Sequence, residues 1–428
     1  MKTDFFSDNR GTLLFPIKEN LYNFKQCTVS INNKNVFRGI HINPFDKLVT
    51  CIKGKIIDIL INFNNSSEKD YLIPQYYTLS ADSNNNQLFI PANYGHAFLS
   101  LENESIILYH FNDIFTDENT KHIHYLDPIL NIKLPIYFKD IIISKKDCIS
   151  NFVKPIEFML FGSSGFLGSS ILNILNIQKK NVICCNIRLE NVAEIEKFIE
   201  LYNPKYIICS AGLTGSPNIS WCDQNKIQTI ETNITFQLTL AKICKTYGKH
   251  LTIIGSGGIF DDTRFYKESD NGNFYNNFYS ICRIQLEFLL KEYDNVLYVR
   301  VNYPISSTKS SKNLITKLEN FTMVEDKEFS LTYIDELFLV LIQMIEKNEI
   351  GICNLVNSGA INLIEIMNIY CSFVEKKFSI TKENDLLKSN AKLEIGKLQK
   401  YDISLVHDAV KKCIYEYLMK KDLIKLQI

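Results

Sequence analysis

Glu157-Phe158-Met159-Leu160-Phe161-Gly162-Ser163-Ser164-Gly165-Phe166-Leu167-Gly168 is the stretch from which the fold of this 428-residue chain is read. Residues 157–161 form a short apolar run of buried-strand type, and the apolar pattern resumes as a helix over 169–175. Between them stands Gly162-x-x-Gly165-x-x-Gly168. Glycines at this spacing let the backbone approach a pyrophosphate, which rests on the N-terminus of the following helix. Strand, glycine turn and helix in that order predict a dinucleotide-binding βαβ unit.

Working outward, the downstream chain keeps the same alternation. Strands are expected over 181–185, 206–209, 251–254 and 295–301, and helices over 192–202, 229–247 and 279–291. Strands alternating with helices imply a Rossmann-type, doubly wound parallel sheet. Upstream the rhythm differs. Short apolar runs at 47–52, 55–63, 87–90 and 105–111 are broken at Gly54, Asn64-Asn65, 84–86 and 91–95, the pattern of an all-β barrel or sandwich. The chain therefore reads as two domains, 1–150 and 155–428, with 148–155 as the linker.

Composition narrows the function. The chain is 46% hydrophobic and 22% charged, and its 47 basic residues balance 47 acidic ones. A net charge of zero gives no support for nucleic-acid binding, which draws on a basic excess. No run of 18 apolar residues predicts a membrane span, and the N-terminus lacks the apolar core of a signal peptide. Twelve cysteines occur without CxxC pairs, which suits free thiols in a reducing compartment, so a cytoplasmic protein is expected.

The upstream half carries Asp8-Asn9-Arg10-Gly11, Val36-Phe37-Arg38-Gly39-Ile40-His41, Lys47-Leu48-Val49, Gly95-His96-Ala97-Phe98, Tyr109, Asp127-Pro128 and Ser144-Lys145-Lys146-Asp147. In these segments, over residues 8–147, it resembles the dTDP-4-keto-6-deoxyglucose 3,5-epimerase family, whose fold is a cupin jelly roll. The substrate implied is a nucleotide-diphosphate 4-keto-6-deoxy sugar. Its C3 and C5 protons flank the carbonyl and are acidic enough for a histidine base. The resemblance implies that His41 takes the proton, that Asp147 orients the ring, and that Tyr109 returns a proton from the opposite face. Lys47 and His96 would stabilise the enolate oxygen, and Arg10 and Arg38 would hold the diphosphate or the sugar. Metal-binding cupins place two histidines close together in one strand. His41 stands alone in its motif, and His122 and His124 lie in a polar, turn-like stretch, so no metal is expected. Thr50 and Thr28 depart from the family's usual Arg and Asn.

The glycine turn is the fingerprint of extended short-chain dehydrogenases. The second strand ends at Asn186-Ile187-Arg188 without the acidic residue that usually receives the NAD ribose. Arg188 suits a 2′-phosphate, so NADPH is expected over NADH, although the spacing alone also fits a solvated surface arginine. Further on, Ala211-Gly212-Leu213-Thr214-Gly215, Asn218, Trp221-Cys222, Phe278-Tyr279-Ser280 and Asn313-Leu314-Ile315-Thr316-Lys317 resemble the epimerase/reductase that completes UDP-L-rhamnose synthesis in plants. They also share the broader pattern of bacterial dTDP-4-keto-rhamnose reductases. The resemblance implies cofactor contacts at Gly162, Gly165, Gly168, Ala211 and Gly212, and substrate contacts at Asn218 and Lys317. Tyr279 would protonate the C4 oxygen while Ser256 holds it. Two positions depart from the pattern: Arg283 replaces the lysine of Tyr-x-x-x-Lys, and Gly258 stands where the plant-type enzyme has a catalytic cysteine.

The expectation is a bifunctional enzyme, a 3,5-epimerase followed by an NADPH-dependent 4-reductase, making an L-rhamnose-type nucleotide sugar. The same chemistry on a 2-acetamido sugar, and an epimerase carrying an impaired reductase, are the alternatives. Both families usually dimerise, so a homodimer is expected.

Overall fold

A computed structural model describes residues 4–9, 11–17, 23–64, 66–188, 191–215, 218–381 and 387–421. The chain divides into two compact units, Met1–Pro155 and Ile156–Ile428. Arg10 lies outside the described residues.

The first unit is a β-sandwich. A hairpin, β1 (Asp4–Asp8) and β2 (Gly11–Phe15), precedes β3 (Gln26–Asn32), β4 (Phe37–Ile42), β5 (Lys47–Lys53), β6 (Lys55–Asn62), β7 (Gln75–Ser80), β8 (Gln87–Ile90), β9 (Tyr94–Ser100), β10 (Ser105–Phe111) and β11 (Lys121–His122). One sheet has the order β3-β10-β5-β8 and the other β11-β4-β9-β6-β7, both antiparallel. Side chains alternate across β6. Ile56 and Leu60 join Val49, Ile90, Phe98 and Ile107 in one buried cluster between the sheets. Ile59 and Ile61 join Phe37, Ile40, Ala97, Leu130 and Ile132 in a second cluster on the outer face. Burial on both faces explains why 55–63 reads as a mostly apolar run, interrupted within the strand only by Asp58 and Asn62, rather than as an alternation.

The segment expected to be a linker is docked on this unit. Cys148 ends a helical turn, Lys145–Cys148, and its carbonyl lies 2.9 Å from His124 Nε2. The Asn151 carbonyl accepts from His124 N at 2.8 Å, and Val153 N donates to Asp127 Oδ2 at 2.6 Å.

The second unit holds a six-stranded parallel sheet. It contains β12 (Phe158–Phe161), β13 (Val182–Cys185), β14 (Tyr206–Cys209), β15 (His250–Ser256) and the strands Val296–Val301 and Gly351–Leu355. The spatial order is β13-β12-β14-β15, then Val296–Val301 and Gly351–Leu355. Neighbouring strands run parallel throughout. The order reverses between β12 and β14, and the crevice beyond the carboxyl ends at such a point is where α/β sheets bind ligands. Apolar faces of the helices Phe166–Ile177 and Ile334–Glu346 close one large core cluster with the sheet. The sixth strand was not expected from the sequence. The helix expected over 229–247 is also not continuous: a π-helical turn, Glu231–Thr235, separates Lys226–Ile230 from Phe236–Thr246.

Candidate active sites

In the first unit, site residues line the inner faces at one end of the sandwich. Phe37 and Ile40 both belong to the outer cluster, which strict alternation along a strand forbids. The β4–β9 register breaks between Arg38 and His41, and this extra residue sets His41 opposite His96. Gly39 makes the break possible. Its φ is +122°, and a Cβ there would lie 2.6 Å from both the Ala97 Cβ and the His96 carbonyl.

Asp147 is aimed at His41 by its own helical turn. Ser144 caps the turn, accepting from Asp147 N at 3.1 Å, and its hydroxyl donates to Asp147 Oδ2 at 2.8 Å. The other oxygen, Oδ1, lies 2.8 Å from His41 Nε2. Burial works to raise the Asp147 pKa, but the bonds from His41 and Ser144 hold it below the usual carboxylate value. A second histidine–carboxylate pair lies deeper, with His96 Nε2 2.8 Å from Asp58 Oδ1. Both side chains are buried, and burial holds the His96 pKa down against the pull of Asp58. Lys47 Nζ donates to Asn43 Oδ1 at 2.9 Å, and burial pushes its pKa down to about 7 against the attraction of Asp58. Burial raises the pKa of Tyr109, so its phenol keeps its proton near neutrality. A cavity of about 190 Å³ brings together Arg38, His41, Lys47, His96 and Tyr109. Arg38 is exposed, with its Nε anchored on Asn32 Oδ1 at 2.7 Å.

Sequence reasoning missed Asp58 and misplaced His122. The signal for Asp58 was a single carboxylate inside the apolar run 55–63. His122, expected in a turn, pairs with His41 through β11, and the two rings meet edge to face with centroids 4.7 Å apart.

In the second unit, Gly162 follows β12 at φ +75°, where a Cβ would lie 2.6 Å from the Ala211 nitrogen. Gly168 has less room still, since its Cβ would fall 2.0 Å from the Gly162 carbonyl. Gly165 differs: the only atom near its Cβ position is the Gly162 carbonyl oxygen, at 3.5 Å. The turn therefore leaves an open cradle at the N-terminus of the 12-residue helix Phe166–Ile177, whose first N–H groups suit an anion. Arg188 is exposed just beyond β13. Cradle, helix terminus and cation together fit a nicotinamide dinucleotide.

A cavity of about 490 Å³ beside this turn collects Asn218, Ser256, Tyr279 and Lys317, together with Gly258 and Leu167. Asn277 caps the helix Phe278–Leu290 through Ser280 N at 2.7 Å, fixing Tyr279 in its first turn. Ser256 ends β15, and its Oγ accepts from Gly258 N at 3.1 Å. A Cβ at 258 would lie 3.2 Å from that Oγ, with only Ser389 otherwise within 4 Å. Burial and the neighbouring Lys312 and Lys388 push the Lys317 pKa down.

Arg283 is buried, with its guanidinium carbon 5.3 Å from the centre of the Tyr279 ring. Its Nη1 donates to Gln237 Oε1 at 3.2 Å, and its Nε has no hydrogen-bond partner among the described residues. A side chain at Gly212 would strike Nη2 at 2.4 Å. Burial works to lower the Arg283 pKa, but facing Tyr279 and Tyr298 raise it, so the group stays a cation. The π turn and the helix after it add residues to which the sequence reading gave no role. Asn233 Oδ1 accepts from Leu213 N at 2.9 Å while its Nδ2 donates to Leu213 O at 2.8 Å, and Gln237 Nε2 donates to Ala211 O at 3.1 Å. Together they pin the loop 211–213 beside the crevice.

Comparison with known proteins covers both units. Residues 1–154 match the dTDP-4-dehydrorhamnose 3,5-epimerase family, and residues 156–376 match the RmlD substrate binding domain. A bifunctional dTDP-4-dehydrorhamnose 3,5-epimerase/dTDP-4-dehydrorhamnose reductase of Arabidopsis thaliana is 34% identical over 249 residues, covering 56% of this chain and 82% of that protein. A dTDP-4-dehydrorhamnose 3,5-epimerase of Methanothermobacter thermautotrophicus is 30% identical over 158 residues, covering 34% of this chain and 84% of that protein. The crystal structure of the L780 UDP-rhamnose synthase from Acanthamoeba polyphaga mimivirus shares the fold. It has a TM-score of 0.59 and 24% identity, covering 61% of this chain and all of that one.

Proposed function

Because the chain belongs to the dTDP-4-dehydrorhamnose 3,5-epimerase family through residues 1–154 and to the RmlD family through residues 156–376, we propose that it works two consecutive steps on one sugar. Residues 1–150 epimerise a UDP- or dTDP-linked 4-keto-6-deoxyhexose at C3 and C5. Residues 155–428 then reduce C4 with NADPH, giving a nucleotide-activated L-rhamnose. No helix among the described residues is long and apolar enough to cross a membrane.

In the first step His41 removes the proton beside the carbonyl, and Asp147, 2.8 Å away, steadies the imidazolium that forms. Lys47, with His96, faces the oxygen on which the enolate charge develops. Tyr109 delivers the proton from the other side and inverts the centre. Arg38 holds the diphosphate or the sugar. In the second step Gly162, Gly165, Gly168, Ala211 and Gly212 hold the dinucleotide, with Arg188 on the 2′-phosphate. The bound cofactor supplies hydride to C4. Tyr279 protonates the C4 oxygen, Ser256 holds it, and Asn218 and Lys317 position the sugar. Arg283, a buried cation held against the Tyr279 ring, hardly deprotonates and so does not relay a proton onward.

The observation that carries this reading is the glycine at position 258. A Cβ there would meet the Ser256 Oγ at a close 3.2 Å and otherwise only Ser389, and with glycine the second cavity has no acid/base group at that position while the first holds His41 with Asp147. Product NMR in D2O tests it. Without NADPH the 4-keto sugar should gain deuterium at C3 and C5, and with NADPH it should become the L-product. Deuterium at C3 alone would point to a C3-only epimerase. Exchange without any reduction would favour the impaired-reductase alternative, which Arg283 makes a specific concern.

A further inference from the structure

His122 has no place in the proton chemistry above, yet it is held inside the first site. Its side chain is only 15% exposed, and neither ring nitrogen has a hydrogen-bond partner among the described residues. Both nitrogens are shielded from solvent, and leaving them unbonded there is costly. Its Nδ1 lies 3.7 Å from Asp147 Oδ1, too far for a hydrogen bond, while His41 Nε2 lies 2.8 Å from that same oxygen. All three donor atoms fall within 4.8 Å of one another. In a tetrahedral zinc site with bonds of about 2.0–2.1 Å, neighbouring ligand atoms stand roughly 3.3 Å apart. The two distances to the carboxylate bracket that value. A cavity of about 390 Å³ borders His41, His122 and Asp147, leaving space for a fourth ligand. The nearby ammonium of Lys146 is already paired with Asp117 at 2.7 Å.

We propose that His41, His122 and Asp147 form a zinc-binding site, and that zinc held there switches off proton abstraction in the first unit. Two imidazoles and one carboxylate are a donor set that zinc favours. The switching half rests on the reading of His41 as the base. A neutral imidazole has one basic, in-plane lone pair. When zinc takes it at Nε2, the proton that lay between Nε2 and Asp147 moves to Nδ1, and the ring then has nothing left with which to accept a proton from carbon. Zinc thus competes with the reaction and takes no part in it, and its removal restores the base. Nothing in the second unit depends on these residues, so reduction of an already epimerised 4-keto sugar continues.

The test uses the full chain, freed of metal by chelation and titrated with Co2+ as a spectroscopic probe, then with Zn2+. Visible absorption of four-coordinate cobalt without a thiolate charge-transfer band is expected, and Zn2+ should displace it. His122→Gln should weaken cobalt and zinc binding about tenfold or more while leaving zinc-free deuterium exchange near the parent rate. In the parent, micromolar zinc should stop exchange at C3 and C5, and chelator should restore it. Reduction of the epimerised sugar in the same samples should not change. Absence of cobalt binding overturns the site. So does a thiolate band that survives in His122→Gln, which would assign the metal to cysteine. Equal zinc sensitivity in parent and variant overturns the switch. If cobalt binding requires His122 but exchange persists with zinc bound, the site stands and the reading of His41 as base falls.

Discussion

Lys47 is buried with its ammonium on Asn43, and its pKa is pushed down to about 7. A lysine that stabilises an enolate must be charged, and this one loses its charge as pH rises through that value. Deuterium exchange at C3 and C5 should therefore fall on the alkaline side of about pH 7, far below the pH at which an ordinary lysine deprotonates. Lys47→Met removes the charge at every pH and should lower exchange about 10²–10³-fold, the usual cost of losing one preorganised group beside a developing oxyanion. An alkaline limb that persists in Lys47→Met would assign that ionisation elsewhere. Arg188 bears on cofactor choice. Arg188→Ala should weaken NADPH by roughly tenfold, about one charge-assisted contact, and leave NADH unchanged. Fluorescence titration of both cofactors measures this, and equal affinity of the parent for the two would remove Arg188 from the 2′-phosphate.

Elements are tied together by groups that local sequence patterns do not disclose. Arg300, in the strand Val296–Val301, is fully buried and grips Glu287 of the helix Phe278–Leu290 through Nε at 2.8 Å and Nη2 at 2.5 Å. Its remaining donors reach Lys267 O, Asn354 Oδ1 and Asp270 O. Arg300→Met strands a carboxylate in the core and should cost about 3–5 kcal/mol in urea unfolding, whereas Arg300→Met with Glu287→Leu should recover most of it. A double variant no better than the single one would place the cost in the bonds to the loop carbonyls. The same Asn354 explains why the sixth strand escaped the sequence reading, because a buried amide interrupts the five-residue strand Gly351–Leu355. The π turn escaped for a related reason: Asn233 bonds both backbone groups of Leu213, twenty residues away, and helical periodicity carries no trace of that partner. Local features were legible. The glycine turn, the six-residue motif ending at His41 and the helix headed by Tyr279 each state their chemistry within a few residues. Asp58 and His122 take their meaning from strands paired across the sheet, so their roles wait on the register that Gly39 sets.

At the scale of the molecule, β3 is an edge strand whose Val29 and Ile31 are 53% and 67% exposed. An open apolar edge invites pairing with a second copy. Light scattering should find a homodimer, and Ile31→Lys should shift it toward monomer. A parent that is monomeric at assay concentrations would retire the dimer. The division of labour has a sharper consequence. If His41 alone starts epimerisation and Tyr279 alone completes reduction, each step can be removed without touching the other. His41→Ala should convert none of the D-series 4-keto sugar, yet reduce the epimerised sugar at the parent rate. Tyr279→Phe should accumulate the epimerised 4-keto sugar with deuterium at C3 and C5, and should oxidise little NADPH. Mixed in equal amounts, the two inactive variants should form the L-product, since the intermediate leaves one site and reaches the other through solution. The initial rate should show a lag that shortens as enzyme concentration rises. Product formed by His41→Ala alone from the D-series sugar would mean that the second cavity epimerises despite Gly258. A mixture that stays inactive while both single activities persist would mean that the intermediate is handed over within one molecule and does not diffuse.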